Sequence, residues 1–294
     1  MRSVVVTGAS SGIGSATAIE LARRGYDVLG TVRTEEKAKS LVAAAAGQGR
    51  SVRTVLLDVA DPRSCTEAFA HIEHLTGGGP WAVVNNAGVE LMGAVEDVSE
   101  AEARYLLEVN LFGALRMCRL ALPAMRGRGA GRIVNVTSHA GLAASPFNGW
   151  YAASKHALEA LSDSLRMESA RYGVRVSVVE PGFHETPMVP RAQRRLARLA
   201  AEGASPFQDA YEVTAGCLER LRPFRGAEEA ARVVCRAVSA RRPRARYLTG
   251  RESFLTRVGQ VMPPVVSDAF LRRATGLAGS VPARSSGSSP EAVS

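Results

Sequence analysis

The segment Tyr151-Ala152-Ala153-Ser154-Lys155 opens a long helical pattern. An i, i+4 spacing puts Tyr151 and Lys155 on one helix face, one turn apart. Tyrosine is a poor acid–base near neutral pH, because its reference pKa is about 10. A neighbouring ammonium favours the phenolate. At roughly 4–5 Å and an effective dielectric near 20, that attraction amounts to about 3–4 kcal/mol, which would lower the phenol pKa by about two to three units. Such a pair suits the transfer of a proton to or from a carbinol oxygen. Ser138 follows the β-branched run Arg132–Thr137 and brings a hydroxyl to the loop that leads to Tyr151. Asn110 lies inside a helical pattern, where a buried amide needs partners. It is a candidate for holding a water that links Lys155 to solvent.

A second chemistry-bearing segment is Thr7-Gly8-Ala9-Ser10-Ser11-Gly12-Ile13-Gly14, between an apolar run and an amphipathic helix. Glycines there permit a tight turn and a close approach of backbone to a pyrophosphate. The free N–H groups of the following helix start would face the phosphates. The second strand ends Gly30-Thr31-Val32-Arg33-Thr34 and carries no carboxylate. Arg33 stands where an acidic residue would meet a ribose 2′-hydroxyl, and a guanidinium suits a 2′-phosphate. The cofactor expected on these grounds is NADP(H), with Ser11 adding a hydroxyl contact. Asp58 closes the third strand with Val59. It either accepts from an adenine amino group or caps the helix that begins at Pro62.

These groups need a scaffold that brings strand ends together. Short apolar runs recur at Ser3–Thr7, Asp27–Val32, Val52–Val59, Trp81–Asn85, Arg132–Thr137, Val174–Glu180 and, more weakly, Arg246–Thr249. Helical patterns fill the intervals at Gly12–Arg24, Glu35–Ala46, Pro62–Thr76, Ser99–Met125, Tyr151–Tyr172 and Ala227–Ala240. Continuous apolar runs alternating with helices predict an α/β fold. It is a single Rossmann-type, doubly wound parallel sheet of about seven strands, with helices on both faces. Residues 188–224 interrupt the rhythm with two helices, Arg191–Ala201 and Asp209–Leu221, and read as a small lid. Residues 1–250 then form the dinucleotide-binding and catalytic domain. Residues 251–282 form an extension packed on it, and the Ser/Gly/Pro-rich stretch 283–294 is expected to be disordered.

Composition narrows the function classes. The 294-residue chain is 46% hydrophobic, enough for a sizeable core, and carries a formal charge of +9. Only Lys37, Lys39 and Lys155 are lysines, and aromatic residues make up 5% of the chain, too few for a base-stacking surface. Nucleic-acid binding is therefore not expected. Cys65, Cys118, Cys217 and Cys235 form no C-x-x-C pair, so neither a metal site nor a redox pair is expected. No apolar run approaches the length of a membrane span, and a cytoplasmic protein is expected.

The sequence resembles the short-chain dehydrogenase/reductase family. The resemblance is carried by Thr7–Gly14, Asn85-Asn86-Ala87-Gly88, Asn110, Ser138, Tyr151-x-x-x-Lys155 and Pro181-Gly182 with Thr186. It implies that Tyr151 is the acid–base, that Ser138 orients a carbonyl, that Lys155 also holds the nicotinamide ribose and that Asn110 completes a proton relay. The cofactor-binding candidates are Gly8, Ser10, Ser11, Gly12, Ile13, Gly14, Arg33, Asp58, Val59, Asn86, Ala87, Gly88, Pro181, Gly182 and Thr186, together with Tyr151 and Lys155. Family likeness further implies a homodimer or homotetramer built from the two longest helical patterns.

A narrower likeness points to the 17β-hydroxysteroid and retinol dehydrogenase branch. It rests on Ser11 with Arg33, Pro146-Phe147-Asn148, and Arg246-Tyr247 followed by an apolar extension. It implies a lipophilic alcohol or ketone as substrate. Phe147, Trp150, Phe183 and Met188 are the candidate substrate wall, and Phe207 and Tyr211 fall near it. Phe183-His184-Glu185 departs from the small or aliphatic residues common at that point in the family, and Arg191, Arg194, Arg195 and Arg198 make the lid cationic. His139, His156 and His184 have no acidic partners at triad spacing and are read as wall or surface residues. The alternative function is a non-redox NADP-binding sensor or an isomerase on the same scaffold.

Overall fold

The computed structural model describes residues 1–220 and 224–278. Seven strands form the main sheet: β1 (Ser3–Val6), β2 (Asp27–Val32), β3 (Arg53–Leu56), β4 (Ala82–Asn85), β5 (Gly131–Val136), β6 (Val174–Pro181) and β9 (Arg246–Thr249). Their order is β3-β2-β1-β4-β5-β6-β9, and every neighbouring pair is parallel. The order reverses between β1 and β4, which is where ligands bind in such sheets.

The strands lack polar alternation because both faces are covered. Val4 and Val6 pack with Leu21 and Val234, whereas Val5 between them packs with Ile72 and Met117 on the opposite face. One layer is α1 (Gly12–Arg23), α2 (Glu35–Ala46) and α9 (Ala227–Ser239); the other includes α3 (Pro62–Thr76) and α5 (Ala114–Gly127). Local capping fixes several helix starts. Thr34 accepts from the Lys37 amide, Asp61 accepts from the Arg63 amide, and Ser99 with Glu102 forms a reciprocal box at α4 (Glu100–Leu107).

The pattern expected as one helix over Ser99–Met125 is divided. Between α4 and α5 lies one widened π turn, Glu108–Gly113, which contains Asn110. Such single turns inside helices are frequent at functional sites. Asn110 bonds the backbone of the loop after β4 from this turn, accepting from the Val89 amide (2.8 Å) and donating to the Val89 carbonyl (2.9 Å). The helix that carries Tyr151 is α6 (Gly149–Ala170).

The two helices expected as a lid are α7 (Met188–Glu202) and α8 (Gln208–Arg220). α7 starts three residues before the expected Arg191, because Pro190 sits in the first turn, where a missing N–H costs nothing. The chain closes the base of the lid by pairing β7 (His184–Glu185) with β8 (Arg225–Gly226). Two further helices, α10 (Arg251–Gly259) and α11 (Pro264–Ala274), follow the last strand. α11 buries none of its side chains, and Val261, Val265 and Phe270 are 85%, 80% and 70% exposed. The stretch 283–294, expected to be disordered, lies outside the described residues. No described helix is long and apolar enough to cross a membrane.

Candidate active site

A cavity of about 590 Å³ runs along the carboxyl ends of the strands. All the cofactor candidates line it, from Gly8 through Thr186, as do Ser138, Tyr151 and Lys155. Asn110 stands behind Gly88. A Cβ at Gly88 would lie 3.3 Å from the Asn110 Oδ1 and 3.6 Å from the Lys155 Nζ, so the two polar groups converge on this glycine.

The glycine loop is held by backbone geometry and by β4. Gly8 and Gly12 have φ of +65° and +54°, in the region that favours glycine. A Cβ on Gly14 would lie 2.4 Å from the Gly8 carbonyl oxygen, so this turn excludes any larger residue. Thr7 pins the loop by accepting from the amides of Asn86 and Ala87, each at 3.0 Å, and the Asn86 side chain donates to the Thr7 carbonyl (2.9 Å). The Ser11 side chain does not cap α1. Gly12, Ile13 and Gly14 line the cavity at the helix start, where backbone N–H groups and the helix dipole favour an anion. Arg33 and Lys37 line the same end. Lys37, the third residue of α2, carries no sequence signal that points to the cleft. A glycine cradle, an open helix start and two cations fit a phosphorylated dinucleotide.

Asp58 does not cap the helix at Pro62. Asp61 does so, and Asp58 instead accepts from the Ala60 amide (3.0 Å) while lining the cavity.

Tyr151 and Lys155 share the cavity-facing side of α6, but burial decides their ionisation. The Lys155 Nζ is 5.6 Å from the Tyr151 ring centre and donates to the Val136 carbonyl at 3.2 Å. Burial pushes the Tyr151 phenol up to about 12; a hydrogen bond with Ser138 opposes this, and the nearby charge of Glu90 adds to it. The shift thus runs opposite to the expected lowering, because desolvation of a phenolate is its largest cause. Burial also brings Lys155 down to about 8, against the pull of Glu159. Near neutral pH the phenol holds its proton and the lysine keeps most of its charge. The Ser138 Oγ accepts from the Ala140 amide at 3.2 Å.

On the substrate side, Phe183 and Met188 line the cavity, but Phe147 and Trp150 do not. Phe147 has φ +63° and packs edge-on against Phe207 and Tyr211 in the lid core. Trp150 turns away and donates to the Val95 carbonyl at 3.3 Å. Both were expected from sequence proximity to Tyr151, yet their side chains leave the chain on the side away from the cleft. His139 and His184 line the wall, whereas His156 bonds back to the Ala152 carbonyl at 2.9 Å. Of the lid arginines, Arg195 turns inward to Glu102 (2.7 Å) and Arg191 reaches the cavity. Glu90, Thr214, Cys217, Ala274 and Thr275 also line it and carry no sequence signal.

The chain matches the family model of short chain dehydrogenases over residues 2–197. It is 39% identical over 181 residues to the uncharacterized oxidoreductase YbbO of Escherichia coli K12, covering 62% of this chain and 65% of that relative. It is 33% identical over 281 residues to human retinol dehydrogenase 5, covering 91% of this chain and 87% of the relative. A solved short-chain dehydrogenase from Streptomyces avermitilis superposes with TM-score 0.75 at 30% identity, covering 94% of this chain and 97% of that one. A metagenomic short-chain oxidoreductase in complex with NADP gives 0.67 at 25% identity, covering 84% and 96%. A short-chain dehydrogenase/reductase from Burkholderia phymatum in complex with NAD gives 0.75 at 28%, covering 87% and 92%. With this fold and this arrangement of side chains, the chain belongs to the short-chain dehydrogenase family.

Proposed function

We propose that the protein is an NADP(H)-dependent oxidoreductase that interconverts a secondary alcohol and a ketone of a lipophilic substrate, with Tyr151 as acid–base. The observation that carries this reading is the convergence of Ser138, Tyr151, Lys155, the α1 start and Arg33 on one cavity. A bound nicotinamide dinucleotide would supply or accept the hydride. Gly12–Gly14 would hold its pyrophosphate, and Arg33 with Lys37 would hold a 2′-phosphate. The NADP and NAD complexes among the similar structures leave the choice between the two cofactors to these residues.

Carbonyl reduction is the half of the reaction that uses the phenol in its protonated form. The Tyr151 phenol keeps its proton at neutral pH and can donate it to a carbonyl oxygen that the Ser138 hydroxyl orients. Lys155 lies beside the ring as a cation and stabilises the phenolate left behind. Asn110, fixed by Val89 and Ser154, positions a relay towards Lys155. Exposed apolar side chains, Phe112 in the turn before α5 and Leu161 and Met167 on α6, suit assembly of copies through the long helices.

The test follows nicotinamide absorbance with a panel of lipophilic ketones. Tyr151→Phe should lower turnover by about 10²–10⁴-fold and leave cofactor binding intact. Arg33→Asp should shift the NADP-over-NAD preference by about ten- to 150-fold. Undiminished turnover in the first variant rejects the mechanism, and an unchanged cofactor ratio in the second removes Arg33 from it.

A further inference from the structure

Glu90 lies on the loop that leaves β4 and lines the same cavity as Tyr151. Among the described residues, no hydrogen bond or ion pair engages its carboxyl. The two arginines whose charge reaches it do not pair with it. Arg195 is committed to the Met92 carbonyl and to Glu102, and Arg191 lines the cavity without an ion pair among the described residues. Burial pushes the Glu90 carboxyl up to about 7, and these two arginines offset only part of that.

Glu90 is partly buried, and a ligand that fills the cavity would strip water from its carboxyl, a cost the ligand offsets only by donating to it. The apolar side chains of Phe183 and Met188 line the same cavity and cannot do so. An acceptor that the bound ligand covers also discriminates against a ligand that lacks the donor, because the acceptor is then left unpaired.

We propose that Glu90 is a specificity-determining residue that accepts a hydrogen bond from a hydroxyl or ammonium group on the substrate, so that the preferred substrates are hydroxy- or amino-ketones and the matching alcohols. This rests on the oxidoreductase reading above and deepens it. Hydroxyl and ammonium offer the same donor chemistry and differ in charge, and the test separates them.

Three aliphatic methyl ketones of equal length, ending in methyl, hydroxymethyl or aminomethyl, are compared on the intact protein with NADPH. In the wild type, both donor-bearing ketones should exceed the plain one in kcat/KM. Glu90→Leu should reduce that ratio about tenfold or more for both. Glu90→Gln should retain the hydroxyl advantage and lose the ammonium advantage, since the amide oxygen still accepts but carries no charge. If wild type shows no preference for a donor-bearing ketone, or if Glu90→Leu changes all three ketones equally, the proposal is overturned. Should wild type reduce none of them, the oxidoreductase reading fails separately. Equilibrium binding of the same three ketones to the wild type and Glu90→Leu then decides Glu90 by the same ratio.

Discussion

Burial acts in opposite directions on the two titratable groups of the cavity-facing side of α6. It holds the proton on Tyr151, pushed up to about 12, and loosens the proton on Lys155, brought down to about 8. A group that must be charged to assist the reaction is then the one that titrates in an accessible range. For ketone reduction, the Lys155 cation is present below its pKa and is lost as pH rises through about 8. The Tyr151 proton stays in place throughout that window. The kcat/KM for reduction should therefore decline as pH rises through that value. Lys155→Arg keeps a charge across the whole range, because a guanidinium does not deprotonate there. Its pH–rate profile should be flat where the wild type declines, whatever its residual rate. A decline at the same pH in both proteins would assign the ionisation to another group.

At the scale of elements, the helix boundaries Glu35–Ala46 and Pro62–Thr76 and the strand Arg246–Thr249 are read from sequence without error, because caps and apolar periodicity act locally. The glycine loop is legible for the same reason. What escapes depends on contacts between distant segments. The π turn at Glu108–Gly113 follows from Asn110 bonding Val89 across the fold, and helical periodicity alone continues through it. Phe147 leaves the wall because its positive φ turns it into the lid. Glu90 and Lys37 are ordinary charged residues until the fold brings them to the cleft.

β6 presents a testable case of the same kind. Glu180 is fully buried, its carboxylate 3.3 Å from Arg246, and neither oxygen has a hydrogen bond among the described residues. Burial raises its pKa from 4.5 to about 7, with Glu159 adding and Arg246 opposing. A raised folded-state pKa means that the folded chain holds the proton more tightly than the unfolded chain. The cost of the buried carboxylate is therefore absent below 4.5, grows as pH rises and is complete above about 7. Glu180→Gln removes this cost but also one partner of Arg246, which keeps Asp163 and Glu159. We expect the substitution to stabilise the protein by about 2 kcal/mol near pH 8 and by close to nothing near pH 4.5. Chemical denaturation of both proteins at the two pH values measures this, and a gain that is larger in acid would refute it.

At the scale of the whole molecule, the sheet and its helices build one end of the cleft, while α7, α8 and the end of α11 line the other. This second end is lightly held. The Cys217 thiol donates to the Ala274 carbonyl at 3.0 Å, and Gln260 donates to the Leu142 carbonyl at 2.8 Å. Otherwise α11 stands on the surface with no buried side chain. Its end nevertheless supplies Ala274 and Thr275 to the cavity wall. Cofactor binding and substrate binding should therefore separate when this segment is removed. Ending the chain at Gly250 deletes no main-sheet strand and no part of the glycine loop, so the cofactor Kd should change little. The substrate loses part of its apolar wall. About 50 Å² of lost contact at ~25 cal/mol per Å² is ~1.3 kcal/mol, or roughly a tenfold rise in KM for a lipophilic ketone. Steady-state kinetics with cofactor titration measures both quantities on one preparation. Equal weakening of both would mean that the C-terminal helices support the sheet itself rather than the mouth of the cleft.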